Sequence, residues 1–426
     1  MKLSRTFGFL AAAHLCLFAA GCSAETSEPT EDTTDVAITS NDGKLFDFTF
    51  DAEVVASSSA EARDAIVAQL AYVQGALTTH VGGNGQVGLV EVGGLTEAAA
   101  DAGKKRIAYK AKLPVIWPKS VATPRTYELV LPRDVTALDR FNRTYDGTCG
   151  KNEYGVDTFW HDFNPKASGC TPAAADVVRA PVTVTRSANS TTNKYPEYDK
   201  MLEDGAIDVV GVFGIISSDT PQDEGAREME NVIEKTMGTL TGATRKDAGR
   251  SATVVKSSEV TGKATVGGRE ITVSFRAVLV NEVAAAGADF DAIYGPASEK
   301  ADLIVYSGHS GLGKNVNSLA ERTKVAKGKY QVLYLNGCQT FGYLGRALHD
   351  KKIAVNGATD PKGTKFLDVV ANALPAYGDD GATGLDLYRA ILDQARPRSY
   401  NDLLRGFSRI HLVAVFGEDD NTFAPR

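Results

Sequence analysis

The chain lacks an excess of basic residues, and this absence excludes one class of partner. Acidic residues outnumber basic ones by 53 to 46, which gives a formal charge of −7, and no stripe of lysine and arginine is present to neutralise phosphates. Nucleic acid is therefore not an expected partner.

The chain also lacks a long apolar run after its first residues. Its 426 residues, 43% of them hydrophobic, thus predict a soluble globular protein of two domains.

The first residues are typical of a secretory leader. Lys2 and Arg5 precede an apolar run over residues 7–18, which has the length of a signal-peptide core rather than of a membrane span. The run ends in Ala-Ala-Gly before Cys22, which resembles a bacterial lipobox, where the cysteine is lipidated and becomes the mature N-terminus. Removal of residues 1–21 takes the formal charge from −7 to −9. The alternative is a plain secretory peptide cleaved nearby.

Residues 22–43 are predicted to form a disordered acidic tether, because from residue 23 onward they are polar and poor in side chains that a core could use. A lipid on Cys22 would make the membrane a partner and place the protein in the bacterial cell envelope. Ser23 follows the lipidated cysteine and, by the enterobacterial sorting habit, permits transfer to the outer membrane. The sequence leaves the oligomeric state open.

Cysteine is scarce, and the five cysteines are expected to have different fates. Cys16 is removed with the leader, and Cys22 carries the lipid. Cys149 and Cys170 lie close together in a stretch rich in glycine, asparagine and proline, and an oxidising compartment favours a disulfide between them. Cys338 is then the only free thiol, which makes it the first candidate for chemistry.

The hydrophobic pattern changes near residue 200 and predicts two domains. Residues 44–190 contain alternating strands, such as 45–50 and 127–131, and one amphipathic helix over 60–72, which favours a smaller α+β domain. Residues 200–426 instead contain continuous apolar runs separated by helical segments, which is typical of buried parallel strands and their crossovers. This second part is predicted to be an α/β domain with a mostly parallel sheet and helices on both faces.

The segments of the second domain follow from these runs. Strands are predicted at 207–213, 271–280, 303–306, 332–335 and 353–355, and helices at 223–240, 290–300, 341–350, 366–373 and 384–394. In doubly wound sheets the functional site lies at the carboxyl ends of the strands.

Two of these strands end in a glycine followed by a reactive side chain. One run ends in Gly308-His309, and the other in Gly337-Cys338. If the strands are neighbours in a parallel sheet, they lie about 4.8 Å apart and both side chains share one edge. A thiolate is a nucleophile that a nearby imidazole can activate, and the Gly308, Gly337 and Cys338 backbone is a candidate for holding an oxyanion. This chemistry needs no metal or organic cofactor.

At these residues the chain resembles the caspase-like cysteine peptidases, the group of caspases, gingipains, legumain, separase and CHAT peptidases. Their shared pattern is a strand followed by glycine and the catalytic histidine, then a strand followed by a small residue and the catalytic cysteine. The resemblance covers residues 205–395, and its histidine-to-cysteine interval is nearer that of the bacterial members. It departs from the pattern at Ser310, where a glycine is usual, and around Cys338, where only Gln339 agrees with the caspase consensus. It implies a cysteine endopeptidase acting on a protein or peptide.

Three other interpretations of the same segment remain. The domain could be a catalytically inactive surface-binding lipoprotein. Ser310 could be the nucleophile of a serine hydrolase with Asp360 and His411, although Leu312 replaces the closing glycine of a nucleophile elbow. A phosphate-binding loop at residues 308–315 fails at Asn315, where serine or threonine should hold magnesium.

Two aspartates are candidates for a substrate pocket. Asp219 is predicted to follow the first strand of the second domain and Asp360 the last, at the edge that carries His309 and Cys338. They would favour a basic residue before the scissile bond, or else cap the helices that follow. His161 lies in an aromatic segment between the paired cysteines and is expected to pack over the disulfide rather than to bind a metal.

Overall fold

Two β-sheets organise the chain, one built from its first part and the other from the rest. The computed structural model describes residues 43–188, 194–218, 220–376, 381–393, 396–407, 412–417 and 422–425. The predicted leader and tether, with Cys22, lie outside these residues. Contacts group Val36–Arg426 into one compact unit. No helix in the described ranges is long and apolar enough to cross a membrane.

The first sheet has six strands, and every strand pair is antiparallel. Its elements are β1 (Gly43–Ser57), α1 (Ala62–Val81), β2 (Asn84–Gly85), β3 (Glu91–Ala99), β4 (Lys104–Pro118), β5 (Thr126–Pro132), α2 (Leu138–Tyr145) and β6 (Val177–Arg186). The strands lie in the order β2-β4-β1-β6-β5, and β3 pairs with β4.

The core of the first sheet follows from two periodicities. Phe46, Phe48 and Phe50 alternate along β1 and are buried on one face, as a period of two requires. Ile66 and Leu70, four residues apart on α1, cover the same cluster. Burial of each large apolar side chain stabilises the fold by about 2 kcal/mol. These elements confirm the strand predicted at residues 45–50 and the helix predicted at 60–72.

The second sheet has eight strands. Its elements are α3 (Tyr198–Met201), β7 (Ala206–Gly214), α4 (Glu224–Thr239), β8 (Thr241–Ala248), β9 (Val254–Val266), β10 (Arg269–Val280), α5 (Ala288–Lys300), β11 (Leu303–Ser307), α6 (Lys314–Arg322), β12 (Gln331–Asn336), α7 (Thr340–Tyr343), α8 (Ala347–Asn356), β13 (Leu367–Asn372), α9 (Gly381–Leu392), α10 (Tyr400–Leu404) and β14 (Val413–Phe416). The order is β14-β13-β12-β11-β7-β10-β9-β8.

The topology of the second sheet places a crevice between β7 and β11. Strands β10, β7, β11, β12 and β13 are parallel, whereas β14, β9 and β8 extend the sheet as antiparallel strands. From β7 the chain passes through α4, β8 and β9 to β10 on one side of β7, and then through α5 to β11 on the other side. This reversal leaves a crevice at the carboxyl ends of β7 and β11, where ligands bind in open α/β sheets. The mixed α/β class with parallel strands is as predicted, but the antiparallel β8 and β9 were not.

Two predicted segments of the second sheet are wrong. Residues 353–355, predicted as the last strand, belong to α8, whose buried residues Leu348, Lys352 and Asn356 recur every four positions as on a helix. Residues 366–373, predicted as a helix, form β13, because the run around Val369 is apolar and β-branched and is buried along its whole length. The last parallel strand therefore begins after Asp360 rather than before it.

The predicted disulfide between Cys149 and Cys170 is present, and Cys338 is a free thiol. The bridge joins cysteines with a sequence separation of 21, and the segment that it closes carries a 3₁₀ helix over Val156–His161. Cys149 is fully buried in an aromatic cluster with Phe159 and Phe163. The segment is therefore covalently closed and packed from within.

Reduction of this disulfide is expected to lower the free energy of unfolding by about 3 kcal/mol, because the open chain regains the entropy that the closed loop removes. Urea unfolding with and without reductant measures the change. The double variant Cys149→Ala, Cys170→Ala is the control, and its midpoint should not respond to reductant. An unchanged midpoint in the wild-type chain would contradict the expectation.

Candidate active site

His309 and Cys338 follow two neighbouring strands at the same edge of the second sheet. Strand β11 pairs in parallel with β12, and Ser307 and Asn336 are the last paired residues. Each of the two reactive residues lies two positions beyond its strand. His309 is exposed and Cys338 is partly buried. The two residues that the sequence singled out therefore lie at one edge of the sheet, after neighbouring strands.

The two glycines of this edge touch one another. A Cβ atom on Gly337 would lie 2.8 Å from the Gly308 carbonyl oxygen, so the close approach of the two loops requires glycine there. The Gly308 amide donates to the Asn336 carbonyl at 3.1 Å and extends the ladder by one bond. It is therefore not available to an oxyanion, which corrects the prediction for Gly308. The Cys338 amide has no acceptor among the described residues and stays a candidate donor.

The ring of His309 is held by a backbone carbonyl. Nε2 lies 2.8 Å from the carbonyl oxygen of Ile216, which follows β7 across the crevice. Because a carbonyl only accepts, Nε2 carries the hydrogen and the neutral ring keeps its lone pair on Nδ1. The backbone is held too, since the His309 carbonyl accepts from the Tyr306 hydroxyl and from Asn315 Nδ2 at 2.8 Å.

The loop that carries Ile216 is fixed by the buried carboxylate of Asp223. It accepts from the backbone amides of Ile216 at 3.1 Å, Ser217 at 2.8 Å and Ser218 at 3.1 Å, and from Gly225 at 2.9 Å. Burial alone would raise the pKa of Asp223, but these four donors outweigh burial and lower it to about 2. Asp223 was predicted only as the start of a helix. Its side chain also orients the carbonyl that binds His309.

The thiol of Cys338 lies among groups that respond to its charge. Its Sγ is 3.6 Å from the carbonyl oxygen of Ala376, to which the S–H donates. Burial raises the pKa of both Tyr306 and Tyr343, and the charge of Cys338 raises both further. The two phenols therefore flank the thiol as neutral groups.

Gln339, directly after the cysteine, has an unusual backbone conformation. Its φ of 55° lies in the left-handed region, which costs a residue with a side chain about 1–2 kcal/mol. Its amide donates to the Leu374 carbonyl at 3.2 Å, and α7 begins at the next residue. The chain therefore turns sharply at Cys338, and the bonds of Gln339 must offset the strain.

The side chain of Gln339 is bound on three sides. Its Oε1 lies 2.6 Å from the Tyr343 hydroxyl and 2.8 Å from Nε2 of His161, and its Nε2 donates to Thr78 Oγ1 at 3.2 Å. Two of these partners belong to the part of the chain that builds the first sheet, residues 43–188, called the first sheet unit below. His161 lies on the disulfide-closed segment and Thr78 on α1. The sequence offered no signal for this contact, because 178 residues separate His161 from Gln339.

The disulfide-closed segment contacts both α1 and the loop that follows Cys338. A Cβ atom on Gly75 of α1 would lie 2.3 Å from the Trp160 carbonyl oxygen, so only glycine lets α1 approach the segment. The Trp160 ring meets Tyr343 edge to face with centroids 5.9 Å apart. The His161 Nδ1 lies 3.0 Å from Asp162 Oδ1. His161 lies between the rings of Tyr154 and Trp160, and it also reaches the cysteine loop.

A row of polar side chains runs beneath the site at the last positions of three strands. Ser307 Oγ donates to Glu228 Oε2 at 2.7 Å, Asn336 Nδ2 donates to Ser307 Oγ at 3.3 Å, and Asn372 Nδ2 donates to Asn336 Oδ1 at 3.1 Å. Beside this row is a cavity of about 20 Å³, also lined by apolar side chains. A cavity of that size has room for about one water molecule. The row ties β11, β12 and β13 together just below the reactive residues.

The prediction that Asp360 lies at the edge of His309 and Cys338 is wrong. Because β13 begins at Leu367, in register with Gln331 at the start of β12, Asp360 precedes the amino end of β13 at the opposite edge. It is 1% exposed, and its Oδ1 accepts from the Thr364 amide at 2.9 Å, so it stabilises a loop. Asp219 lies outside the described residues.

The geometry weakens the two rival motifs. Ser310 is 4% exposed, and its carbonyl accepts from Gly313 and Asn315 in a tight turn, so the helix after it begins only at Lys314. Its supposed partner Asp360 lies at the opposite edge, and His411 is outside the described residues.

Asn315, where a phosphate-binding loop needs a magnesium ligand, instead accepts from the Ala284 amide at 2.9 Å.

Metal ligands and relatives give no independent indication of the chemistry. The described ranges contain no group of three or more His, Cys, Asp or Glu residues that could hold a metal ion. No family model matches the chain, and no curated protein is significantly similar to it. The function is therefore inferred from the geometry of the site.

Asp223→Asn is expected to lower the free energy of unfolding at pH 7 by about 2 kcal/mol, because the amide loses one acceptor and turns an N–H₂ group toward backbone donors. The folded pKa is depressed, so this stability is complete above about pH 4 and is lost as the pH falls through about 2. Urea unfolding of both chains from pH 7 down to pH 2 measures the difference.

The matched control is Asp51→Asn, whose side chain is 76% exposed and whose nearest cation is 4.0 Å away. Its effect should be small at every pH. An equal loss of stability in both variants, or a loss at position 223 that does not shrink in acid, would contradict the role of the Asp223 carboxylate.

Proposed function

We propose that this chain is a cysteine endopeptidase of the caspase-like type, with Cys338 as nucleophile and His309 as general acid and base. We further propose that a lipid on Cys22 anchors it to the bacterial cell envelope, where it acts on a protein or peptide. The chemistry uses only groups of the chain itself.

One observation carries the proposal. The free thiol and the histidine follow the adjacent parallel strands β12 and β11, with the two glycines before them in contact, and β11 also borders the topological switch point with β7. The Ile216 carbonyl selects the His309 tautomer whose Nδ1 is free to take a proton. A nucleophile, a base and a group that orients the base are therefore assembled at one edge, which is the arrangement that nucleophilic catalysis needs.

In the acylation step, His309 Nδ1 takes the proton of the Cys338 thiol, and Sγ attacks the carbonyl carbon of the scissile peptide bond. The electron pair of the C=O bond moves to oxygen, where the Cys338 amide is placed to donate. As the oxyanion collapses, the C–N bond breaks, and the amine leaves with the proton from Nδ1. The products are a thioester on Cys338 and a free amine.

In the deacylation step, His309 Nδ1 removes a proton from water, and the hydroxide attacks the thioester carbonyl carbon. The C–S bond breaks, sulfur takes the proton back from the imidazolium, and a carboxylic acid leaves. Throughout both steps the Nε2–H group of His309 keeps its hydrogen bond to the Ile216 carbonyl, and this bond stabilises the imidazolium form of the ring.

A groove at the carboxyl edge of the second sheet supports the proposal of a peptide substrate. It has a volume of about 420 Å³ and lies between the start of α4 and strands β8 and β9. Pro221, Met229, Val255 and Leu279 give it an apolar floor, and Leu279 lies near the carboxyl end of β10. An extended peptide that crosses the His309 loop could place an apolar side chain there.

One observation favours a second candidate, a surface-binding protein without turnover. The Cys338 S–H donates to the Ala376 carbonyl, so the thiol in this structure is already engaged as a donor. A protein that keeps the thiol protonated in this way would bind a partner at the edge and would not cleave it.

Alkylation by iodoacetamide separates these candidates. At about pH 6, where an ordinary thiol is almost wholly protonated, Cys338 is expected to react about tenfold faster in the wild-type chain than in His309→Ala. Mass spectrometry of the Cys338 peptide follows the rate, and Cys338→Ala, with unchanged circular dichroism, shows the background. Slow labelling that is indifferent to His309 would refute the dyad and favour the binding protein.

Cleavage of a peptide library tests which residue is the nucleophile. Cys338→Ala is expected to abolish cleavage, whereas Ser310→Ala should retain most of it, because Ser310 is buried within a turn. The appearance of new amino termini is the readout. Loss of cleavage in Ser310→Ala, with retention in Cys338→Ala, would instead establish the serine hydrolase.

A further inference from the structure

The loop after Cys338 depends on a residue in a conformation that its side chain disfavours. Gln339 has a φ of 55°, and the backbone torsion there sets the direction in which the chain leaves Cys338. Residues in this region persist only where surrounding contacts hold them. The position of the thiol relative to His309 therefore depends on what holds Gln339.

Most of the side-chain contacts that hold Gln339 come from the first sheet unit. Its amide oxygen faces Nε2 of His161 at 2.8 Å, and its amide nitrogen donates to Thr78 Oγ1 at 3.2 Å. An amide oxygen only accepts, so His161 Nε2 is the donor. Tyr343, on the loop of Gln339 itself, supplies the remaining bond to the oxygen.

His161 is itself fixed on both sides. Nδ1 lies 3.0 Å from Asp162 Oδ1, a carboxylate oxygen that also only accepts, so the ring donates to Gln339 and to Asp162 together only when both ring nitrogens carry a hydrogen. The ring of Tyr154 meets the imidazole edge to face at 5.8 Å. The residue belongs to the 3₁₀ helix inside the disulfide-closed segment, against which α1 packs at Gly75. The imidazole is therefore a rigid donor rather than a surface side chain that happens to reach Gln339.

We infer that His161 is a positioning residue for Cys338: its Nε2–H holds Gln339 in the left-handed conformation and thereby sets the thiol against His309. The first sheet unit thus contributes a part of the active site. The inference rests on the proposed cysteine chemistry, and it assigns a function to the disulfide-closed segment.

Two variants that replace His161 by an amide side chain, glutamine or asparagine, test the inference. In His161→Gln the amide nitrogen occupies nearly the place of Nε2 and still donates to Gln339. In His161→Asn the amide nitrogen occupies the place of Nδ1, so it faces Asp162 and does not reach Gln339. Both variants are made in the full chain, with Thr78→Val as an independent removal of the other first-sheet contact.

The readout is the rate of iodoacetamide alkylation at Cys338, together with the melting temperature. His161→Asn is expected to slow labelling about fivefold, the effect of losing one hydrogen bond, while His161→Gln stays within about twofold of the wild-type chain. Thr78→Val should slow labelling in the same direction. Melting temperatures of the two His161 variants should agree, so that the rates do not follow stability.

The outcomes separate this inference from the proposed function. If His309→Ala slows labelling but His161→Asn does not, the dyad stands and the positioning role is wrong. If His161→Asn and His161→Gln are equally slow, the role is one of packing, and the inference is overturned as well. If even His309→Ala labels like the wild-type chain, the proposed function itself fails.

Discussion

The parallel register between β11 and β12 is the constraint on which the site depends. Because Ser307 pairs with Asn336, the residues two positions further along each strand must share one edge. If one strand slipped by one residue, its side chains would point to the other face of the sheet while those of its neighbour would not. The Gly308 amide extends the ladder by one bond, and Gly337 admits the neighbouring carbonyl, so the register is held directly before His309 and Cys338.

What could be predicted from the sequence was local. Apolar runs located β7, β10, β11 and β12, and glycines before His309 and Cys338 located the edge. Short apolar runs were ambiguous, because β-branched residues occur both within α8 and along β13. Since α8 was predicted to contain the last strand and β13 to be a helix, Asp360 was predicted at the wrong edge of the sheet. The α-helix at residues 224–239 was recognisable from its start at Asp223, but the carboxylate's bonds to the preceding loop were not.

The remaining features of the site are contacts between segments that are distant in sequence, and no local pattern encodes them. The Ile216 carbonyl reaches His309 over 93 residues, and Asn84 Nδ2 donates to the Ala373 carbonyl over 289. A backbone carbonyl also has no residue identity to recognise. The first sheet unit, which showed no motif of its own, therefore proves to touch the cysteine loop through His161 and Thr78.

The closed segment between Cys149 and Cys170 has a consequence for the order in which the chain matures. Translation delivers this segment well before Gln339, and domains fold as they emerge. His161 and Thr78, which contact the cysteine loop, are thus synthesised before the loop that docks on them. Under the proposed function, the setting of the thiol is complete only after Gln339 has docked against this segment, so reactivity is the last property that the chain acquires.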